Sequence, residues 1–216
     1  WGFINTEGKE IIPLKYDDTG DFSNGSTKVK LNRKWGVINK EGKEITPLKY
    51  DDTEIFSENL VKVKLNEKWG FINTEGKEIT PLKYDDVASS LSEGFAWVKI
   101  NGKYGFINTE GKEVIPLKYD HPTIRPLHFK FSEGLVAVML NGKCGFINKE
   151  GEEVIPLKYV KAGSFSEGLA AVKLNGKWGF INKEGKEVIP LKYVSVSSFS
   201  DGLVVVNLNG KRGYIN

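Results

Sequence analysis

The chain has 216 residues, 39% hydrophobic and 27% charged, a composition typical of folded globular proteins and not of disordered ones. Its formal net charge of +3 comes from 31 Lys and Arg against 28 Asp and Glu, and the two signs alternate along the whole length. Because a nucleic-acid binder gathers positive charge into a patch and a membrane helix needs about 20 consecutive apolar residues, the sequence predicts neither nucleic-acid binding nor membrane insertion.

A segment similar to KWGFINKEGKEVIPLKY recurs six times along the chain. Aligned on the aromatic-Gly step, it predicts a single repeat array over residues 1–216. The units are 1–34, 35–68, 69–103, 104–143, 144–177 and 178–211, with a partial seventh at 212–216. The chain opens at Trp1 in the middle of the motif and ends in a surplus first strand, so we expect a longer array cut at both ends.

Each unit predicts three short strands. The first reads WGFIN, with the aromatic residue and Phe on one face and Gly and Ile on the other. The second reads KEVIPLKY, and its proline cannot donate a ladder hydrogen bond, which predicts an edge, a bulge or a kink. The third is represented by Leu60–Leu65, in which Val61 and Val63 alternate with Lys62 and Lys64. This alternation predicts a half-buried strand with one solvent-exposed face.

Glycine and asparagine mark the predicted turns. Asn-Gly steps such as Asn101-Gly102 join the third strand to the next unit's first strand, and both residues tolerate the positive φ of a tight hairpin. Arg33 and Glu67 replace that glycine in the first two units, so we expect a looser or different turn there. The NTEG and NKEG loops end in a glycine suited to a left-handed residue, and Ser-Glu-Gly steps such as Ser132-Glu133-Gly134 predict a tight turn before the third strand.

These elements predict an all-β fold of tandem three-stranded antiparallel meanders. One such meander is too small to bury a core, so its Trp, Phe, Val and Leu side chains are expected to pack on neighbouring units. Propeller blades usually have four strands and about 40 residues, and the chain ends in a surplus strand. The sequence therefore favours an open β-solenoid or superhelix, with a closed six-bladed, propeller-like ring as the alternative.

The recurring residues resemble a known family, the WG or KWG repeat. The resemblance covers the whole chain: KWGFIN is followed by EGKEVIPLKY and then FSEGLAAV, with departures from the WG step at Tyr104, Cys144 and Arg212. Loss of the ring at Cys144 and Arg212 is expected to weaken or rearrange the packing there. The resemblance implies bacterial tandem repeats of β structure, often with surface or interaction roles, and implies no catalytic residues and no cofactor.

Two groups of residues are candidates for a catalytic or a metal site. Cys144 would need a nearby histidine to act as a nucleophile, but it occupies a tryptophan slot and is interpreted as a packing variant. The Asp pairs at 17–18, 51–52 and 85–86, with Asp120, either form a carboxylate row that binds a hard cation or make backbone hydrogen bonds in turns. The pairs lack calcium-loop spacing and the last two units carry Val160 and Val194, so no metal site and no cofactor is predicted.

An insertion in the fourth unit interrupts the period. It contains His121, Arg125 and His128, and insertions in repeat proteins often lie on a binding face, although a tolerated surface loop is the simpler interpretation. Trp97 takes an outward slot in FAWVKI and is either an exposed contact residue or packed on a neighbouring unit. Lys62, Lys64 and tyrosines such as Tyr16 are further candidates for that surface.

The function indicated is a non-catalytic module that binds or scaffolds a protein, peptide or glycan on an extended β surface. A structural spacer that associates head to tail with its own copies is the alternative. An accessory domain of a larger enzyme or toxin is a lesser one. Neither the ligand nor the compartment, whether cell surface, secreted or cytoplasmic, follows from these residues.

Overall fold

The protein is described by a computed structural model that covers residues 1–23, 25–57, 60–120 and 129–216. Two compact units divide it, Trp1–Leu91 with Ile107–Lys112, and Ser92–Phe106 with Glu113–Asn216. All regular structure in these ranges is β, and the sheets are antiparallel and follow one another along the chain. The predicted all-β tandem of antiparallel meanders is confirmed. None of the described residues forms a helix that could span a bilayer.

The first of the two compact units contains three sheets in which successive strands are neighbours. Its strands are β1 (Phe3–Ile4), β2 (Glu10–Ile12), β3 (Asp18–Thr19), β4 (Ser26–Leu31), β5 (Lys34–Asn39), β6 (Glu44–Tyr50), β7 (Asp52–Ile55), β8 (Leu60–Leu65), β9 (Lys68–Asn73), β10 (Glu78–Tyr84) and β11 (Asp86–Val87). The sheets are β1–β2, β3–β6 and β7–β10.

The remaining strands follow the same plan. They are β12 (Phe95–Ile100), β13 (Lys103–Asn108), β14 (Glu113–Tyr119), β15 (Val136–Leu140), β16 (Lys143–Ile147), β17 (Glu153–Tyr159), β18 (Lys161–Ser166), β19 (Leu169–Leu174), β20 (Lys177–Ile181), β21 (Glu187–Tyr193), β22 (Ser195–Val196), β23 (Val204–Leu208) and β24 (Lys211–Ile215). Sheets here include β15–β17, β18–β21 and β22–β24, while β12, β13 and β14 lie in that order in one sheet.

Several sheets have four strands where three were predicted, and from β3 onward the sheets do not coincide with the sequence units. In β3–β6 the first two strands come from the unit at 1–34 and the last two from the unit at 35–68. The added strand, β3, consists of Asp18–Thr19 and pairs with β4 through Lys30 and Val29. Strand β3 was not predicted from the sequence, because two residues that include an aspartate carry no strand periodicity. In the sheet β15–β17 a single bridge between Asp120 and Met139 takes its place.

The hairpin turns are uniform, which corrects the prediction for the first two units. Asn101 and Gly102 have φ of 50° and 77°, and Asn32 and Arg33 have φ of 51° and 67°. Glu67, in the corresponding position of the second unit, has φ of 63°. Two positive-φ residues in a row form the hairpin turn whose twist matches the flanking strands, so strand pairing imposes it even on Arg33 and Glu67.

The proline-containing strand is bulged and lies at the edge of its sheet, as predicted. In β18–β21 it is β21, whose register against β20 shifts between Trp178 and Phe180. The bulge brings its backbone over Gly179, where a Cβ atom would lie 2.5 Å from the Ile189 carbonyl oxygen and 2.8 Å from the Leu191 nitrogen. The glycine of each WG step is therefore required by this close approach and not by its own dihedral angles.

Successive sheets bury their Phe, Ile and Val side chains against one another. One core in the first unit joins Val37 and Tyr50 of the sheet β3–β6 to Val61, Val63 and Ile72 of the sheet β7–β10. A corresponding core in the second unit joins the sheets β15–β17 and β18–β21. The expectation that units complete one another's cores therefore holds within each compact unit.

The tryptophans and the outer strand positions are placed differently from the prediction. Trp35, Trp69 and Trp178 are only half-buried, at the rim of the cores. Lys62, predicted to lie on a solvent-exposed face, is only 6% exposed. Its Nζ pairs with Glu54 at 2.6 Å and lies 4.8 Å from the centre of the Trp69 ring.

The close approach at the WG glycine generates a test. We expect Gly179→Ala to destabilise the chain by about 2 kcal/mol, because a Cβ atom must displace the backbone of β21. Gly213→Ala is the matched control, since a Cβ atom there meets nothing within 4 Å, and it should be neutral or stabilise by up to about 0.5 kcal/mol. Urea denaturation midpoints measure both changes. Equal midpoints for the two variants would refute the explanation.

Candidate functional site

The first aspartate of each predicted pair closes a turn. Asp51 accepts a hydrogen bond at Oδ2 from the Asn66 N–H at 2.9 Å and one at Oδ1 from Lys34 Nζ at 2.6 Å. Its backbone N–H donates to the Lys64 carbonyl at 2.8 Å, which fixes its position beside the hairpin. The Lys34 hydrogen bond, followed by the one from Asn66, lowers the pKa of Asp51 below its ordinary value. The carboxylate therefore joins two consecutive sequence units.

The same arrangement recurs in other repeats, and we name it the Asp clamp. Its members are Asp17 with Asn32 N–H at 2.7 Å, Asp85 with Lys68, and Asp120 with Asn141 N–H at 2.9 Å and Lys103 Nζ at 2.5 Å. The second aspartate of a pair, as in Asp52, accepts from the N–H of the next residue. Of the two interpretations of these aspartates, the structure supports hydrogen bonding to backbone groups and ion pairing with lysines.

No cation site is assembled from these carboxylates in the described ranges. Within residues 1–23, 25–57, 60–120 and 129–216, no group of three or more His, Cys, Asp or Glu side chains is arranged to hold a metal ion. A hard cation needs several converging oxygens, whereas the clamp carboxylates converge on lysine and backbone N–H donors.

The Ser-Glu-Gly turns have the predicted tight geometry, with Glu133 and Gly134 at φ of 55° and 86°. Their serines also form a ladder that links each turn to the next, which was not predicted. The hydroxyl Oγ of each serine donates to the carbonyl of the phenylalanine that precedes the following turn. The pairs are Ser92 with Phe131 at 2.7 Å, Ser132 with Phe165 at 2.8 Å and Ser166 with Phe199 at 3.2 Å.

The glutamates of these turns reinforce the ladder. Glu133 accepts from the Gly168 N–H of the next turn at 3.1 Å and pairs with Lys183 Nζ at 3.0 Å. Partial burial raises the pKa of Glu133, but the Gly168 hydrogen bond and the Lys183 ion pair outweigh it, so the net pKa is lowered. Glu93 makes the equivalent contacts with Gly134 and Lys149. The positive φ of these glutamates is therefore tolerated where their side chains bind the neighbouring turn.

The aromatic slot of the first strand is flanked by lysines from the third. Lys62 and Lys64 place their Nζ atoms 4.8 and 5.6 Å from the centre of the Trp69 ring. At the position of Lys62 the next unit carries Trp97, which is half-buried and packs on Tyr104 with ring centres 5.6 Å apart. These distances suit cation–π and aromatic contacts. Trp97 remains a predicted contact residue with part of its surface accessible.

Tyr16 and Cys144, the other sequence candidates that the structure describes, are buried. Tyr16 is 4% exposed, so tyrosines of its type belong to the core and not to the surface. His121, Arg125 and His128 lie outside the described residues, so the predicted binding loop stays a prediction. Cys144 is buried among apolar side chains, and this burial raises the pKa of its thiol, as expected for a packing variant and not for a nucleophile.

One open cavity of about 480 Å³ lies beside β24. It is lined by Tyr193 and Val206 and by residues of β24, including Lys211, Arg212 and Tyr214. No carboxylate and no histidine occurs among the described residues that line it.

Comparisons with known proteins point to a repeat family and to a fold. A sequence model for a WG containing repeat matches residues 1–35, 35–69, 69–104, 104–144, 145–178 and 178–211. No curated protein matches the chain in sequence.

Among solved structures, a crystal structure of the eukaryotic initiation factor is similar, with a TM-score of 0.51 and 11% identity over 89% of this chain. The chain spans 60% of the length of that structure, and the likeness concerns the fold alone. Kluyveromyces lactis Hsv2p has a TM-score of 0.41 and 12% identity, over 89% of this chain and 71% of that one. A streptogramin B lyase has a TM-score of 0.36 and 16% identity, over 93% of this chain and 79% of that one.

The ladder of Ser-Glu-Gly turns gives a pH-dependent prediction. We expect Glu133→Gln to lower the free energy of unfolding at neutral pH by about 1 kcal/mol, because a charge-assisted hydrogen bond and a partly screened ion pair are lost. Since the folded pKa of Glu133 is depressed, its contribution is present above the ordinary value of 4.5 and disappears as the pH falls through the folded value. Urea denaturation across this pH range measures the difference.

Glu184→Gln is the control for this experiment. Glu184 is exposed and has no ion-pair partner among the described residues, so its substitution should leave stability unchanged at every pH. An equal effect of the two substitutions, or a Glu133→Gln effect that persists in acid, would contradict the assigned role of the ladder.

Proposed function

The chain belongs to the family of WG containing repeats, and from this premise we propose that it is a non-catalytic binding module. It presents the outward positions of its sheets to a protein, peptide or glycan partner. The polar residues with recurring contacts support this reading, because the clamp aspartates and the ladder serines and glutamates are engaged in holding repeats together. The surface left for recognition is the one between these contacts.

The observation that carries the proposal is the contrast between neighbouring positions of the third strand. Its central valine is the same in every repeat and is at most 5% exposed, at positions 29, 63, 98, 138, 172 and 206. The residue before it changes from repeat to repeat, as Lys28, Lys62, Trp97, Ala137, Ala171 and Val205. Lys62 and Ala137 at this position are buried and the other four residues are partly buried, so a constant core position stands beside one whose chemistry is free to vary.

The half-buried aromatic residues and the lysines beside them suit macromolecular recognition. Half-buried tryptophans with lysines above them offer a flat apolar surface and a positive charge at the same place, as at Trp69 with Lys64. Aromatic residues are enriched among the side chains that dominate binding energy at protein interfaces. Trp97, with a second ring beneath it at Tyr104, is the residue that we expect to contribute most.

A structural spacer remains the second candidate. The Ser and Glu contacts link turn to turn at intervals of 33 to 41 residues, and such a ladder stiffens the second compact unit along its repeats. In this reading, concentration-dependent association with other copies of the chain replaces partner binding.

A selection experiment tests the proposed function. The immobilised chain is challenged with a displayed random peptide library and with a glycan array, and we expect specific ligands whose affinity falls by about tenfold in Trp97→Ala. Trp97→Phe, which keeps a ring over Tyr104, should retain most of the binding. Sedimentation over a wide concentration range is run in parallel. No enriched ligand together with concentration-dependent self-association would replace the proposal with the spacer.

A further inference from the structure

The Asp clamp is missing its carboxylate in two places. Val160 and Val194 occupy the clamp position in the last two complete repeats. Their backbone is placed as in the other repeats: the Val160 N–H donates to the Lys173 carbonyl at 2.9 Å, just as the Asp51 N–H donates to Lys64 at 2.8 Å. The substitution therefore changes the side chain at an otherwise unchanged position.

The donors that the missing carboxylates would satisfy are still present. Lys143 and Lys177 correspond to Lys34, and Asn175 and Asn209 head the hairpin turns that correspond to Asn66. All four residues are exposed, and neither lysine has a carboxylate partner among the described residues. We call each set of valine, lysine and hairpin N–H an open clamp: the first is Val160, Lys143 and Asn175, and the second is Val194, Lys177 and Asn209.

In the filled clamps the same donors show what they bind. In the clamps of Asp51 and Asp120 a carboxylate oxygen lies 2.6 and 2.5 Å from the lysine Nζ, and in those of Asp17, Asp51 and Asp120 one lies 2.7 to 2.9 Å from the asparagine backbone nitrogen. Charge-assisted hydrogen bonds of this kind are among the stronger polar contacts that a protein surface makes. The first open clamp has an additional cation, because Lys173 corresponds to Lys64, whose charge also lowers the pKa of Asp51.

The valines add an apolar element beside the charge. Val160 is 54% exposed and Val194 is 51% exposed, so each open clamp pairs a cationic donor set with an accessible aliphatic side chain. A segment that carries a carboxylate next to an aliphatic side chain complements both. An acidic polysaccharide supplies the carboxylate without the aliphatic group, so the valines favour a peptide.

Resting on the proposed binding function, we propose that the two open clamps bind an extended acidic segment of a protein partner. Its Asp or Glu carboxylates take the place that Asp51 and Asp120 fill in their own repeats. The sheets β18–β21 and β22–β24 share one core, and sheets packed face to face lie about 10 Å apart. An extended segment in the polyproline II conformation rises about 3.1 Å per residue with three residues per turn, so carboxylates three residues apart lie on one face and match the two clamps.

The test uses the whole chain, labelled with ¹⁵N, and the peptide acetyl-Asp-Val-Ser-Asp-Val-amide. We expect the amide signals of Asn175 and Asn209 to shift on titration to about 1 mM peptide, a range that detects weak binding. The peptide with both aspartates replaced by asparagine should bind at least about tenfold more weakly.

Two double variants separate the clamp from general surface charge. Val160→Asp with Val194→Asp fills both clamps internally, and we expect it to weaken peptide binding by about tenfold or more. Val160→Ile with Val194→Ile keeps an aliphatic side chain and leaves the clamps open, so it should bind within about threefold of the original chain. Asp51→Val opens a clamp in the second repeat, and the Asn66 amide should then respond to the peptide.

Each outcome bears on the inference. Unchanged binding in the aspartate double variant, or no shift of the Asn175 and Asn209 amides at the highest peptide concentration, overturns it. Shifts of these amides with a glucuronate oligosaccharide but not with the peptide overturn the assignment to a protein segment. If the acidic peptide gives no shifts while ligands from the library and array selection still bind, the open clamps are overturned and the proposed binding function stands.

Discussion

The whole structure depends on sheets that each contain strands from two consecutive repeats. Each sheet from β3 onward begins with the end of one sequence unit and finishes with the start of the next, and a tight hairpin at the Asn-Gly position joins the two halves. No unit can therefore complete a sheet by itself, and consecutive repeats are bound by main-chain ladders as well as by side-chain packing. The bulged edge strand then crosses the WG glycine, which explains why a residue without a side chain follows the aromatic one.

Polar side chains follow from this sharing. Where two units meet at the hairpin, Asp51 ties a lysine and a backbone N–H together, and where two Ser-Glu-Gly turns meet, Glu133 ties the next glycine N–H to Lys183. These residue types are those from which catalytic and metal sites are usually built, yet here their partners are lysines and backbone groups. We therefore assign the proposed binding function to positions that differ between repeats: the residue before the central valine of the third strand, and the open clamps at Val160 and Val194.

Much of the fold was predictable because the repeat multiplies every local signal. Strand periodicity, Asn-Gly turns and the edge position of the proline strand were predicted correctly, since each depends on neighbours along the chain. The fourth strand was missed because Asp18–Thr19 has no periodicity of its own and is a strand only through pairing with β4. The prediction of a different turn at Arg33 was wrong for a similar reason, because strand pairing overrides the preference of a non-glycine residue for negative φ.

The sequence by itself determined the β class, the repeat, its register and the positions of its turns, because these follow from patterns within about 34 residues. Only the tertiary structure decided which side chains meet across repeats. It buried Lys62, left Trp35, Trp69 and Trp178 at the rim of the cores, and joined the Ser-Glu-Gly turns in a hydrogen-bonded ladder. Contacts between residues 15 to 41 positions apart depend on how sheets stack, and stacking is a property of packed surfaces that no local pattern records.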